Sequence, residues 1–190
     1  MDGEVLKNKP GLSSQVELMD AEAYYFDRAF RSFIVTEPIS SFTFDTVLLL
    51  SIHKYFFGPL YTWAGQLRTV NISKGETMFC SANFISSALA DFELTLKQNT
   101  PTSTDDKKQV AAKLALIHCE LNAIHPFREG NGRTIRLFLD LFAIRAGYNP
   151  ILWNKRPHKA YIQACIAGMN QDYTFMSSII HAGLTKRRRA

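Results

Sequence analysis

The run "NAIHPFREGNGRTIRLF", residues 122–138, decides how this chain folds and what it can do. It separates two amphipathic stretches, and it holds far more polar chemistry than a turn requires. Gly130-Asn131-Gly132 stands directly before a helical pattern whose first turn carries Arg133 and Arg136. A helix N-terminus exposes unpaired backbone N–H groups and partial positive charge, which makes it an anion site. Glycines let that backbone come close to a phosphate. Two guanidinium groups three residues apart suit a polyphosphate. Glu129 would repel that phosphate unless Mg²⁺, which takes carboxylate and phosphate oxygens together, lies between them. His125, ending the preceding helix, is placed as a general base. Singly, a histidine before proline caps a helix and a GNG makes a turn. Together they point to phosphoryl or nucleotidyl transfer.

Length and composition permit one well-formed core: 190 residues, 46% hydrophobic and 12% aromatic. The net charge of +5 would suit a nucleic-acid partner, but "KRRR" at 186–189 holds four of the 22 basic residues, leaving 18 against 17 acidic ones. The expectation is therefore a nearly neutral body, a solvated basic tail over 183–190, and no direct nucleic-acid binding. Cys80, Cys119 and Cys165 are odd in number and lack CxxC spacing, which argues against a disulfide framework or a zinc site. "MDGEVLKNKPG" lacks a signal-peptide layout, and no apolar run approaches a membrane span, so a cytoplasmic protein without membrane contact is expected, with export as an effector the alternative.

Periodicity predicts a mainly α, single-domain helical bundle with one short β-hairpin. Residues 1–19 read as a polar lead-in and 20–182 as the domain. Helices are expected over 20–35 (Asp20 as N-cap), 42–57, 82–99, and 105 to about 124 (Ser103 or Thr104 as cap). The last of these presents Val110, Leu114, Ile117, Leu121 and Ile124 on one face. A further helix ends at Gly147, and one or two more follow. β-Branched residues alternating around Lys74-Gly75-Glu76 suit the hairpin. Cys119 reads as core, Trp63 as packing, and His53, His158 and His181 as capping or surface residues. His118 stands two turns from His125, too far to share one small ion.

"HPFREGNGRTIR" resembles the Fic signature HxFx(D/E)GNGRxxR at every fixed position, and "YTWAGQLRTVNISKGETMFC" resembles the family's WAG-x-x-R segment and flap. The resemblance spans roughly residues 20–180. It implies a protein adenylyltransferase that moves AMP from ATP to a Tyr, Thr or Ser hydroxyl of a target protein and releases pyrophosphate. Carried over, His125 is the base, Phe127 the loop anchor and Glu129 the Mg²⁺ ligand. Gly130, Asn131 and Gly132 form the anion hole, Arg133 meets the β-phosphate and Arg136 the γ-phosphate. Ile72, Lys74 and Met78 of the flap would hold the target segment in strand-like pairing, and Tyr161 and Asn170 would complete an adenine pocket, with core packing an equal reading for Tyr161. The family also uses an inhibitory (S/T)xxxE(G/N) helix against the Arg136 position. Ser13 and Glu17 have the spacing, but Leu18 breaks the pattern, and the C-terminal end has no glutamate. A small antitoxin acting in trans is expected, with Ser13–Glu17 in cis the alternative. Rival readings are a Fic-type transferase with another nucleotide or phospho-donor, and a catalytically silent binding module.

Overall fold

The computed structural model describes residues 5–75 and 77–187; Glu76 of the expected turn and Arg188–Arg189 of the basic run lie outside them. The centre of the molecule is α4 (Lys107–Ile124), predicted from one apolar stripe. That stripe is buried, and so are Ala111, Ala115, His118 and Cys119, because α4 is covered on several sides. Around it pack α3 (Ile85–Asn99), α5 (Asn131–Arg145), α6 (His158–Met169) and α7 (Thr174–Gly183). α1 (Gln15–Phe30) and α2 (Thr46–Phe57) form a second layer, joined to the first through α2 on α5. Gly168 lets α6 approach α4 closely: a Cβ there would lie 2.5 Å from Cys119 Sγ.

The hairpin consists of β1 (Ser73–Lys74) and β2 (Thr77–Met78), antiparallel, with Ser73 opposite Met78 and Lys74 opposite Thr77. The architecture is thus mainly helical with one two-stranded sheet among the described residues, as the periodicity predicts. No helix among them is long and apolar enough to cross a membrane.

Four boundaries differ from the sequence expectation. α1 begins at Gln15, capped by Ser14 rather than Asp20, because Leu18 is buried and extends the apolar face by one turn. α2 begins at Thr46, where the Asp45 carboxylate accepts the Leu48 N–H at 2.8 Å. α4 is capped by Asp106, not Ser103 or Thr104, in a reciprocal box with Gln109 at 2.8 Å in both directions. Finally, the chain past α7 is tied down by contacts as far as Arg187, although residues 185–187 stay exposed. Leu184 is buried, Lys186 Nζ lies 4.4 Å from the Tyr148 ring centroid, and Arg187 N–H donates to Gly147 O at 3.1 Å. The lead-in is likewise tied down, with Lys9 N–H donating to Leu60 O at 2.7 Å.

Candidate active site

The loop between α4 and α5 starts at His125, the C-cap of α4, which adopts a left-handed conformation (φ +49°, ψ +61°). Such a backbone is uncommon outside glycine and must be held by its surroundings. Pro126 disfavours the right-handed alternative, and Arg68 Nε donates to His125 O at 2.8 Å. The imidazole stacks on Phe79, centroids 3.8 Å apart. Its Nδ1 lies 3.1 Å from Asn122 O. A carbonyl can only accept, so the proton is on Nδ1 and Nε2 keeps its lone pair. Burial lowers the His125 pKa to about 4; the Asn122 carbonyl opposes that shift, and the Arg68 and Lys74 charges add to it. The ring is a neutral base at physiological pH.

The rest of the loop is pinned from both sides. Phe127, expected as the anchor, is fully buried and stacks on His53 at 3.7 Å, rings 7° from parallel. Asn131 bridges the loop: its Oδ1 accepts the Phe127 N–H at 2.9 Å and its Nδ2 donates to Phe127 O at 2.7 Å. Gly130 has φ +80°, and a Cβ there would lie 2.0 Å from a Phe57 ring carbon. α5 then begins at Asn131, so its first N–H groups lack intrahelical acceptors, as the anion-hole expectation requires.

His53, expected at a cap or the surface, is completely buried instead. Its Nδ1 accepts the Gly65 N–H at 2.8 Å, which leaves Nε2–H to donate to Glu129 O at 3.1 Å. Burial lowers its pKa to about 4, so it stays neutral. Arg68, last residue of the WAG-x-x-R segment, is also buried, and no acidic partner compensates it among the described residues. Its guanidinium donates to His125 O, to Val70 O at 2.7 Å, to Ile124 O at 3.2 Å and to Cys80 O. Two of those carbonyls end α4, where the helix dipole is negative. Arg68 therefore ties the foot of the flap to the backbone of His125. Neither role was visible in local sequence, since both depend on partners more than ten residues away.

The two α5 arginines part company. Arg133 turns out of the cleft, where its Nη1 pairs with Glu22 Oε2 of α1 at 2.7 Å and its guanidinium lies 5.1 Å from the centroids of both Phe56 and Phe57. Glu22 also accepts the Tyr61 hydroxyl at 2.7 Å. Arg136 turns into the cleft: a Cβ on Gly132 would be 3.4 Å from its Nη1, so its guanidinium lies over the first turn of α5. Glu129 stands at the rim, its side chain half exposed, with Oε1 accepting the Gly130 N–H at 2.8 Å.

These groups line a cleft of about 520 Å³ that collects His125, Glu129, Gly130, Asn131, Gly132 and Arg136, with Ile72 and Lys74 of the flap and Tyr161 of α6. Three expected site residues do not join them. Arg133 is held by Glu22. Met78 is exposed on the outer side of β2, because neighbouring strand residues alternate and Thr77 and Phe79 take the inner side. Asn170 caps α6 and is exposed outside the cleft walls. Arg128, Asn122 and Phe79 line the cleft without having been expected there.

The Fic/DOC family model matches residues 43–143. The probable protein adenylyltransferase y4lH of Sinorhizobium fredii is 33% identical over 169 residues, covering 88% of this chain and 85% of that protein. The protein adenylyltransferase VbhT of Bartonella schoenbuchensis is 32% identical over 182 residues, 96% of this chain but 37% of that longer protein. Among solved structures, the N-terminal FIC domain of the translocated effector Bep8 from Bartonella sp. 1-1C superposes with a TM-score of 0.83 at 26% identity, covering 93% of this chain and 88% of that one.

Proposed function

The chain belongs to the Fic/DOC family, and on that premise we infer that it is a protein adenylyltransferase, which moves AMP from ATP to a hydroxyl side chain of a target protein. One observation carries the reading: a neutral histidine with its Nε2 lone pair free lines the same cleft as the open N-terminus of α5. The target hydroxyl loses its proton to His125 Nε2 as its oxygen attacks the α-phosphorus. The bond from that phosphorus to the bridging oxygen breaks, and pyrophosphate leaves. The N–H groups of the first turn of α5 take the charge that develops on the phosphate oxygens. Asn131, with both polar atoms on Phe127, holds the loop in that shape.

The donor set suits Mg²⁺ that arrives with the nucleotide. Glu129 is one carboxylate, and no cluster of three ligating side chains exists among the described residues; Mg²⁺ takes one or two carboxylates plus phosphate oxygens and keeps water for the rest. When bound, the ion neutralises phosphate charge. Arg136 supplies the remaining cation over the α5 terminus. Arg133 acts by locking α1 to the loop rather than on phosphate while Glu22 holds it. Ile72 and Lys74 present the flap edge to an extended target segment.

Arg136 has no acidic partner among the described residues, and Glu17 is exposed in the first turn of α1. Both features favour inhibition in trans, by a small antitoxin whose glutamate reaches Arg136.

The test uses ATP labelled on either the α- or the γ-phosphate, with Mg²⁺ and cell lysate. AMP transfer puts only the α-label on protein, and His125→Ala lowers that labelling at least about 100-fold. A γ-label on the protein, or an adduct mass other than AMP, overturns the reading in favour of another donor chemistry.

A further inference from the structure

The hydroxyl of Tyr161 stands between nitrogen atoms from two other helices. Arg136 Nη1 donates to it at 3.3 Å, and His118 Nε2 lies 2.9 Å from it. The Arg136 guanidinium also lies over the Tyr161 ring, 5.4 Å from its centroid. One oxygen thus ties α4, α5 and α6 at the end of the cleft where α5 begins. His118 is fully buried and does not line the cleft, and its Nδ1 has no partner. A buried nitrogen left unpaired is unfavourable, so packing alone would prefer leucine. The bond to Tyr161 is what accounts for a histidine there.

We propose that Tyr161 and His118 are positioning residues that hold the Arg136 guanidinium over the N-terminus of α5 and so set the preference for a nucleoside triphosphate over a diphosphate. The proposal rests on the adenylyl-transfer reading of the cleft. The Gly132 position places Nη1 beside the unpaired N–H groups of α5. Phosphates seated on those groups leave the terminal phosphate of a triphosphate for the guanidinium, and a diphosphate has no such group. A free arginine spreads over many rotamers; one already bonded and stacked loses less entropy when the phosphate arrives. Burial keeps His118 neutral, its pKa lowered to about 3, so it does not add a second positive charge beside Arg136. Tyr161 accordingly belongs to the phosphate end of the cleft rather than to an adenine pocket.

Calorimetric affinities for ATP and ADP with Mg²⁺ test this on the wild type, Tyr161→Phe, His118→Leu, Arg136→Ala and the Tyr161→Phe/Arg136→Ala pair. Tyr161→Phe keeps the ring and removes only the hydroxyl. It should weaken ATP about tenfold and leave ADP within about twofold. His118→Leu should move the ATP/ADP ratio in the same direction from outside the cleft. Adding Tyr161→Phe to Arg136→Ala should cost nothing further. Equal losses for ATP and ADP in Tyr161→Phe, or additive losses in the pair, overturn the positioning role. If Arg136→Ala collapses the ratio and Tyr161→Phe does not, only that role falls. If Arg136→Ala leaves the ratio unchanged, the placement of the triphosphate fails and the proposal falls with it.

Discussion

Gly130 and Gly147 share a left-handed backbone, φ +80° and +85°, yet their surroundings differ. An added Cβ at 147 meets nothing within 4 Å, whereas at 130 it would enter the buried Phe57 ring. Gly147→Ala should therefore cost only the backbone strain, about 1 kcal/mol. Gly130→Ala adds a clash that the packed core cannot absorb, about 3 kcal/mol or more in all. Urea denaturation of the two variants measures the difference, and only the Gly130 variant should also lose AMP transfer. The sequence showed that the Gly-Asn-Gly turn needed glycine, since that demand is local. It could not show Phe57 against it, because residues 57 and 130 meet only through the packing of α2 on α5.

At the scale of elements, the flap, the C-terminus of α4 and the loop are joined by Arg68. Four carbonyls from two chain segments converge on one planar guanidinium, and a lysine ammonium cannot reproduce that fork. Arg68→Lys should lower stability by about 2–3 kcal/mol through carbonyls left unpaired in the interior. Because His125 O is among them, transfer should fall in kcat more than in KM for ATP, which steady-state kinetics on the folded variant would separate. The helices themselves were legible from their 3.6-residue apolar period. Their starts were less so: Ser14 and Asp106 displaced other equally good capping residues nearby, and the choice followed from which turn the core required.

Across the whole molecule, the buried histidines make folding sensitive to acid. An unfolded chain protonates imidazole near 6.5, whereas His53 and His125 do so near 4 and His118 near 3 in the folded protein, all held down by burial. Between those values the unfolded state binds more protons, so stability rises with pH and is lost as pH falls below 6.5. From pH 7 to 5 each of the three contributes a loss of about 2 kcal/mol. Asp140 acts the other way: burial raises its pKa to about 7, so its neutral form gains stability as pH falls through that value. It offsets about one histidine, leaving a net loss of about 3–4 kcal/mol. Unfolding curves at pH 7 and 5 should show that loss, and in His118→Leu it should shrink by about 2 kcal/mol.

Sequence by itself determined the helical class, the hairpin and the glycine-rich helix start at residues 130–132, because apolar period and turn composition are short-range facts. Tertiary structure alone decided what each of the two arginines after that start does. Arg133 and Arg136 lie three apart at the start of one helix and look equivalent in the chain. The first meets Glu22 of α1, the second Tyr161 of α6 and the open cleft. A long, flexible cation takes the partner that its surroundings offer, and those surroundings exist only after the helices have packed.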